Sequence, residues 1–171
     1  MRRYYLLSLL MMLFQVLLTV FLGLKPYFVV ALLPTVVLFL PIRTTTPVAL
    51  ILTFAAGLVV DLMSDGVLGL SAVALLPVTL ARFTIIKFVF GEDIISRMED
   101  VTLARQGIAK SALAIAISLS IFLIVFIWAD SAGMRPFWFN FARFIVSLIF
   151  NTVFGLIIAA VLTSDKSPRW K

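Results

Sequence analysis

Asp61 and Asp65 stand four residues apart in Gly57-Leu58-Val59-Val60-Asp61-Leu62-Met63-Ser64-Asp65, a G-x3-D-x3-D spacing. Carboxylates so placed could contribute to a divalent-metal site, although holding a metal on a pyrophosphate takes several of them. Asp61, Arg82 and Arg143 fall inside apolar runs. An ionisable group at the centre of a membrane span costs at least ~2.5–3.5 kcal/mol, so each is expected to face protein or water and to have a partner. The chain has no His and no Cys, which removes imidazole acid–base chemistry, thiol nucleophiles, disulfides and His/Cys metal sites. It also carries no phosphate-cradling glycine loop, serine triad or nucleic-acid motif. The expectation is a protein without catalysis, metal or cofactor.

The elements that carry these residues are set by composition. Of 171 residues 63% are hydrophobic and 13% charged, against about 25% charged in soluble domains. Hydrocarbon must be the solvent for most of the chain, and a membrane helix needs about 20 apolar residues. Runs of roughly that length lie at Tyr4–Leu24, Pro26–Ile42, Val48–Met63, Leu70–Phe90, Lys110–Trp128 and Phe141–Thr163. The fold class expected is therefore an all-α membrane protein, a single domain over 1–171 with a bundle of about six transmembrane helices. The first run, directly after Met1-Arg2-Arg3, reads as a retained signal anchor. The second and third are short and are parted by Pro41-Ile42-Arg43-Thr44-Thr45-Thr46-Pro47, where two prolines stop helices. One tilted span plus a re-entrant piece is the alternative there.

Basic residues support an even number of crossings, because cytoplasmic loops are enriched in Lys and Arg. With six spans and a cytoplasmic N-terminus, Arg2, Arg3, Arg43, Lys87, Arg97, Arg105, Lys110, Lys166, Arg169 and Lys171 fall inside, and only Lys25 and Arg135 outside. Both termini are then cytoplasmic. The net charge of +6 is scattered at the ends of apolar runs rather than gathered in a stripe, so topology explains it better than nucleic acid. Residues 91–109 are the one long polar stretch. Ile94, Ile95, Met98 and Val101 recur there at helical spacing, which predicts a short helix lying on the inner membrane face. The outer loop Ala129–Asn140 is ringed by Trp128, Phe137, Trp138 and Phe139, an aromatic belt at headgroup level or a face for an extracytoplasmic protein.

Two stripes repeat every four residues: Ala49, Thr53, Gly57 and Asp61 on the third span, and Arg143, Ser147, Asn151 and Gly155 on the sixth. Small and polar residues at this spacing let membrane helices approach closely and bond across the gap. Asp61 and Arg143 lie at similar depths below the outer end, ~4.5 Å by helical rise. The expectation is that spans three and six pack along their stripes with Asp61 beside Arg143. Arg82, ~18 Å down from the outer end, is expected to snorkel toward the cytoplasmic side with Lys87.

The G-x3-D-x3-D spacing is also the downstream half of the metal-binding motif of CDP-alcohol phosphatidyltransferases. The upstream half, an Asp-Gly followed by Ala-Arg, is missing before Gly57. The wider stretch from Ala56 to Ala72, in which Gly57-Leu58-Val59-Val60-Asp61 precedes a short turn and then Gly66-Val67-Leu68-Gly69-Leu70-Ser71-Ala72, resembles the rod shape-determining protein MreD family. Chain length, the basic start and the loop prolines fit as well. On physical grounds Gly57 thins the third helix, Ser64-Asp65-Gly66 makes a tight turn in which Gly66 tolerates positive φ, and Gly69 allows close entry to the fourth span.

The resemblance implies a non-enzymatic membrane scaffold of the bacterial cell-elongation machinery, associated with MreC and with MreB, RodA and the elongation-specific penicillin-binding transpeptidase. It also implies a fold similar to the substrate-binding S-components of energy-coupling-factor vitamin transporters, which supplies the alternative function. S-components commonly dock through an A-x-x-x-A stripe in their first span, and Tyr4–Leu24 contains no Ala. Gly57, Asp61, Asp65, Gly66, Gly69, Arg143 and Asn151 are the candidate structural and partner-facing residues.

Overall fold

The structure, a computed structural model, describes residues 28–63, 67–96, 98, 101–132 and 134–163. Among them all regular structure is helical: α1 (Leu33–Leu38), α2 (Thr46–Met63), α3 (Leu70–Phe90), α4 (Glu92–Ser96), α5 (Leu103–Gln106), α6 (Ile108–Ser131) and α7 (Phe137–Thr163). Four of these, α2, α3, α6 and α7, are long and apolar enough to cross a membrane. The shortest, α2, has 18 residues, or ~27 Å against a hydrocarbon core of ~30 Å. They run alternately up and down, so Met63, Leu70, Ser131 and Phe137 mark one end of the bundle and Thr46, Phe90, Ile108 and Thr163 the other.

The long helices turn their small and polar residues inward. On α2 the buried positions are Ala49, Thr53, Gly57, Val60 and Asp61, while Ile51, Leu52, Phe54, Val59 and Leu62 are exposed. On α7 the buried positions include Asn140, Arg143, Ser147 and Asn151, while Ile145, Val146, Ile149, Phe150, Val153 and Ile157 face out. This is the reverse of a helix in water. It follows from lipid tails being as apolar as Leu, so that close packing and hydrogen bonds, not apolar burial, bring the helices together.

The row α2, α3, α6, α7 is built by packing each helix on the next, and α1 sits among all four. Gly57 sets the first of these contacts: a Cβ there would lie 2.5 Å from Ala72 Cα, so the two backbones touch. The Thr53 and Thr79 hydroxyls bond across the same seam at 2.9 Å. The small-residue stripe of α2 therefore packs on α3, and not on α7 as its match in depth to the other stripe suggested.

Other expectations change as well. The run Tyr4–Leu24 lies outside the described residues. Pro26–Ile42 is not a spanning helix over its described part: only Leu33–Leu38 is helical, with Pro34 in its first turn, and residues 28–32 enter without helical structure. Helices α2, α6 and α7 begin before the apolar runs at Val48, Lys110 and Phe141, and α6 also continues past Trp128 to Ser131. The stretch 91–109 is two short helices rather than one, parted around Met98, whose φ is +48°. Of the residues at helical spacing, Ile94 and Val101 are buried and Met98 is exposed. Helix α5 closes the bundle end against α6 and α7, with Leu103 N–H donating to Thr163 Oγ1 at 3.3 Å.

Candidate functional site

Residues 28–42 are polypeptide without continuous helical hydrogen bonding, yet nearly all of them are buried among apolar helices. Each unsatisfied backbone group in such surroundings costs several kcal/mol, and non-helical backbone is tolerated at membrane depth only where protein or water satisfies it. Side chains of the long helices do so here. Ser147 Oγ accepts from Val29 N–H at 3.0 Å. Asn151 Oδ1 accepts from Ala31 N–H at 2.8 Å, and Asn151 Nδ2 donates to Val29 O at 2.6 Å. One carboxamide thus replaces a donor and an acceptor that a helix would have supplied internally. Gly155, one turn on, leaves room for α1: a Cβ there would come within 2.8 Å of Thr35 Oγ1 and of Ile115 Cγ2.

Arg82 fastens the other end of the segment. Its side chain is 1% exposed, its Nε donates to Leu38 O at 3.3 Å and its Nη2 to Leu40 O. These carbonyls lie where α1 ends, beyond the reach of its own ladder. Arg82 Cζ stands 5.0 Å above the Phe83 ring. The expected snorkelling therefore does not occur: a guanidinium that finds carbonyls within the bundle need not reach for water. Lys87 instead pairs with Glu92 at the exposed end of α3.

Asp61 ends the apolar face of α2 and caps α3. Its Oδ1 and Oδ2 accept from Ser71 N–H at 3.1 and 2.9 Å, and Oδ2 lies 3.3 Å from Ala72 N. Gly69, at the N-cap, offers no side chain of its own, so the carboxylate of the neighbouring helix takes the orphan donors. Negative charge at a helix N-terminus is also favoured by the helix dipole. Gly69 has φ +87° with nothing within 4 Å of a Cβ, so it serves the sharp entry into α3 rather than a close approach.

Arg143 does not meet Asp61. It is 5% exposed, and its Nη1 donates to Asp130 Oδ2 at 2.6 Å. The same oxygen accepts from Arg135 Nη1 at 3.2 Å, so one carboxylate at the end of α6 ties the start of α7 and the intervening turn. Beside it Trp128, Phe137, Trp138 and Phe141 form an exposed cluster with ring centroids 6.0–6.4 Å apart. Trp138 is 77% exposed at this bundle end, where amphipathic rings sit at headgroup level.

The expected site residues thus divide. Gly57 and Asp61 meet at the α2–α3 corner with Gly69, and Asn151 holds the buried segment. Arg143 belongs to a separate cluster at the α6–α7 corner. Asp65 and Gly66 lie outside the described residues. Asp130 was not singled out from sequence, nor were the Leu38 and Leu40 carbonyls, which have no side-chain signature, and Arg82 was expected to face water rather than to bond backbone. Among the described residues no group of three or more carboxylates could hold a metal ion, and the Asp61 oxygens are turned to backbone N–H groups. No protein-family model, characterised protein or solved structure matches the chain.

Proposed function

We propose that this membrane-embedded chain is a non-enzymatic scaffold of the bacterial cell-elongation machinery, of the MreD type, acting through MreC and the associated MreB, RodA and elongation-specific transpeptidase. It lies in the cytoplasmic membrane with both termini inside, the orientation favoured by the loop charges. The observation that carries the reading is the α2–α3 corner. The stretch that resembles the family is the one where Gly57 brings two backbones into contact and Asp61 locks them with hydrogen bonds. A rigid corner suits a surface that must present helix ends to a partner in fixed register. The ionisable groups of the interior are likewise spent on backbone and on one another, as a framework requires.

Purification in mild detergent from the native host tests it: MreC and peptidoglycan-elongation proteins should copurify, and Asp61→Asn should weaken MreC recovery and round the cells. Normal shape with full MreC recovery would count against the role of Asp61. The discontinuous segment held among four spans favours a second reading, a substrate-binding subunit similar to the S-components, because interrupted helices commonly line transporter sites. Copurification of an ATPase module with a bound vitamin would establish that reading in place of the first.

A further inference from the structure

At the Phe90 end of the bundle, between the 41–47 turn and the α4 region, lies an open cavity of about 790 Å³. Arg43 and the hydroxyl residues Thr44, Thr45 and Thr46 line it together with half-buried Phe83 and exposed Met98. The volume is in the range of small-molecule sites. Arg43 is exposed and makes no ion pair with a described residue, in contrast to Lys87, Arg135 and Arg143, each of which has a carboxylate. Phe83 lies seven residues before the end of α3, ~10 Å into the bundle by helical rise. Phe83 therefore stands at the level of the first acyl carbons, while Arg43, Thr44 and Thr45, which precede α2, and Thr46, which opens it, stand at the bundle end at headgroup level.

The geometry points to a site for an anionic phospholipid, its phosphate on Arg43 and the threonine hydroxyls and its acyl chains along Phe83 and Met98. A guanidinium matches a phosphate in shape and charge, and basic pockets at helix ends recognise anionic headgroups. A soluble anion would use the cation and hydroxyls alone and leave the Phe83 ring wet, which is why a lipid is the ligand assigned. The site is independent of the scaffold role.

Native mass spectrometry of the full chain, purified in mild detergent with equal phosphatidylglycerol and phosphatidylcholine, tests the assignment. The wild type should retain phosphatidylglycerol preferentially. Arg43→Gln should lower that preference about fivefold, the effect of one interfacial cation. Met98→Glu, which adds a carboxylate to the cavity lining and leaves Arg43 intact, should lower it as well. Lys110→Gln, a charge loss at the same bundle end outside the cavity, should leave it unchanged, and millimolar inorganic phosphate should not displace the lipid. Equal retention of both lipids by the wild type, a preference that survives Arg43→Gln, equal losses in Arg43→Gln and Lys110→Gln, or displacement by inorganic phosphate would each overturn it.

Discussion

Asp61 and Ser71 belong to different membrane helices, yet both carboxylate oxygens of the first take the same backbone N–H of the second, at 3.1 and 2.9 Å. Asp61→Ala leaves the Ser71 and Ala72 donors buried without an acceptor and should cost about 2 kcal/mol, within the range for lost caps and orphaned donors. Asp61→Asn keeps one acceptor oxygen and should recover part of the loss. Thermal unfolding in detergent, followed by circular dichroism, ranks the two. Equal stability of wild type and Asp61→Ala would remove the cap from the account.

Asn151→Leu keeps the size of the side chain but strands Ala31 N–H and Val29 O. The expected cost is about 2–4 kcal/mol, one to two orphaned backbone groups in apolar surroundings. Ser147→Ala removes one bond and should cost about 1 kcal/mol. Because both act on the same five residues, the double variant should lose less than the sum. Protease cleavage within 28–32 in detergent reports the release of this segment directly.

Arg82→Met fills the same space and abandons the Leu38 and Leu40 carbonyls, whereas Arg82→Lys keeps a charge but loses the two-pronged geometry. Lys should therefore be intermediate and Met worst, by about 2–3 kcal/mol for lost charge-assisted bonds. If Arg82 served only to reach the aqueous surface, Lys would match the wild type.

Two glycines separate backbone from side-chain crowding. A Cβ at Gly57 meets Ala72 Cα at 2.5 Å, while one at Gly155 meets the tips of Ile115 and Thr35 at 2.8 Å. Side-chain tips can rotate and a helix backbone cannot, so Gly57→Ala should cost more than Gly155→Ala, with overpacking losses of about 1–3 kcal/mol. The order of melting temperatures decides, and the reverse order would place the tight seam elsewhere.

At the opposite corner Asp130→Ala should cost more than Arg135→Ala. The first leaves the buried Arg143 without its carboxylate, about 1.5–3 kcal/mol for a charged hydrogen bond. The second removes a half-exposed partner, worth about 0–1 kcal/mol. Unfolding of the three proteins at low and high salt should show salt sensitivity chiefly in the Arg135 contribution.

Apolar run length located α2, α3, α6 and α7 because a helix that must satisfy its own backbone in lipid leaves a long uninterrupted signature. The same criterion misread Pro26–Ile42, whose composition is equally apolar but whose hydrogen-bond partners sit about 120 residues away on α7. Run length carries no information about that. The four-residue stripes marked the inward faces of α2 and α7 correctly, since small and polar side chains avoid lipid. Depth alone then paired Asp61 with Arg143, and depth does not fix rotation about the bundle axis. Asp61 meets the N–H groups that its own connecting turn brings beside it, and Asp130 lies nearer Arg143 along the chain.

The segment around Val29 also constrains the order in which the protein is made. Its backbone acceptors and donors are completed by Ser147 and Asn151, 118 and 122 positions downstream of Val29. During synthesis these residues reach the membrane before the helix that stabilises them exists. They cannot rest in lipid as they stand in the finished bundle, because nothing there would bond their N–H and C=O groups. Until α7 arrives they must be helical, sheltered by the insertion machinery, or still in water. Helix α7, made more than a hundred residues later, is thus the one that sets the second apolar run in place.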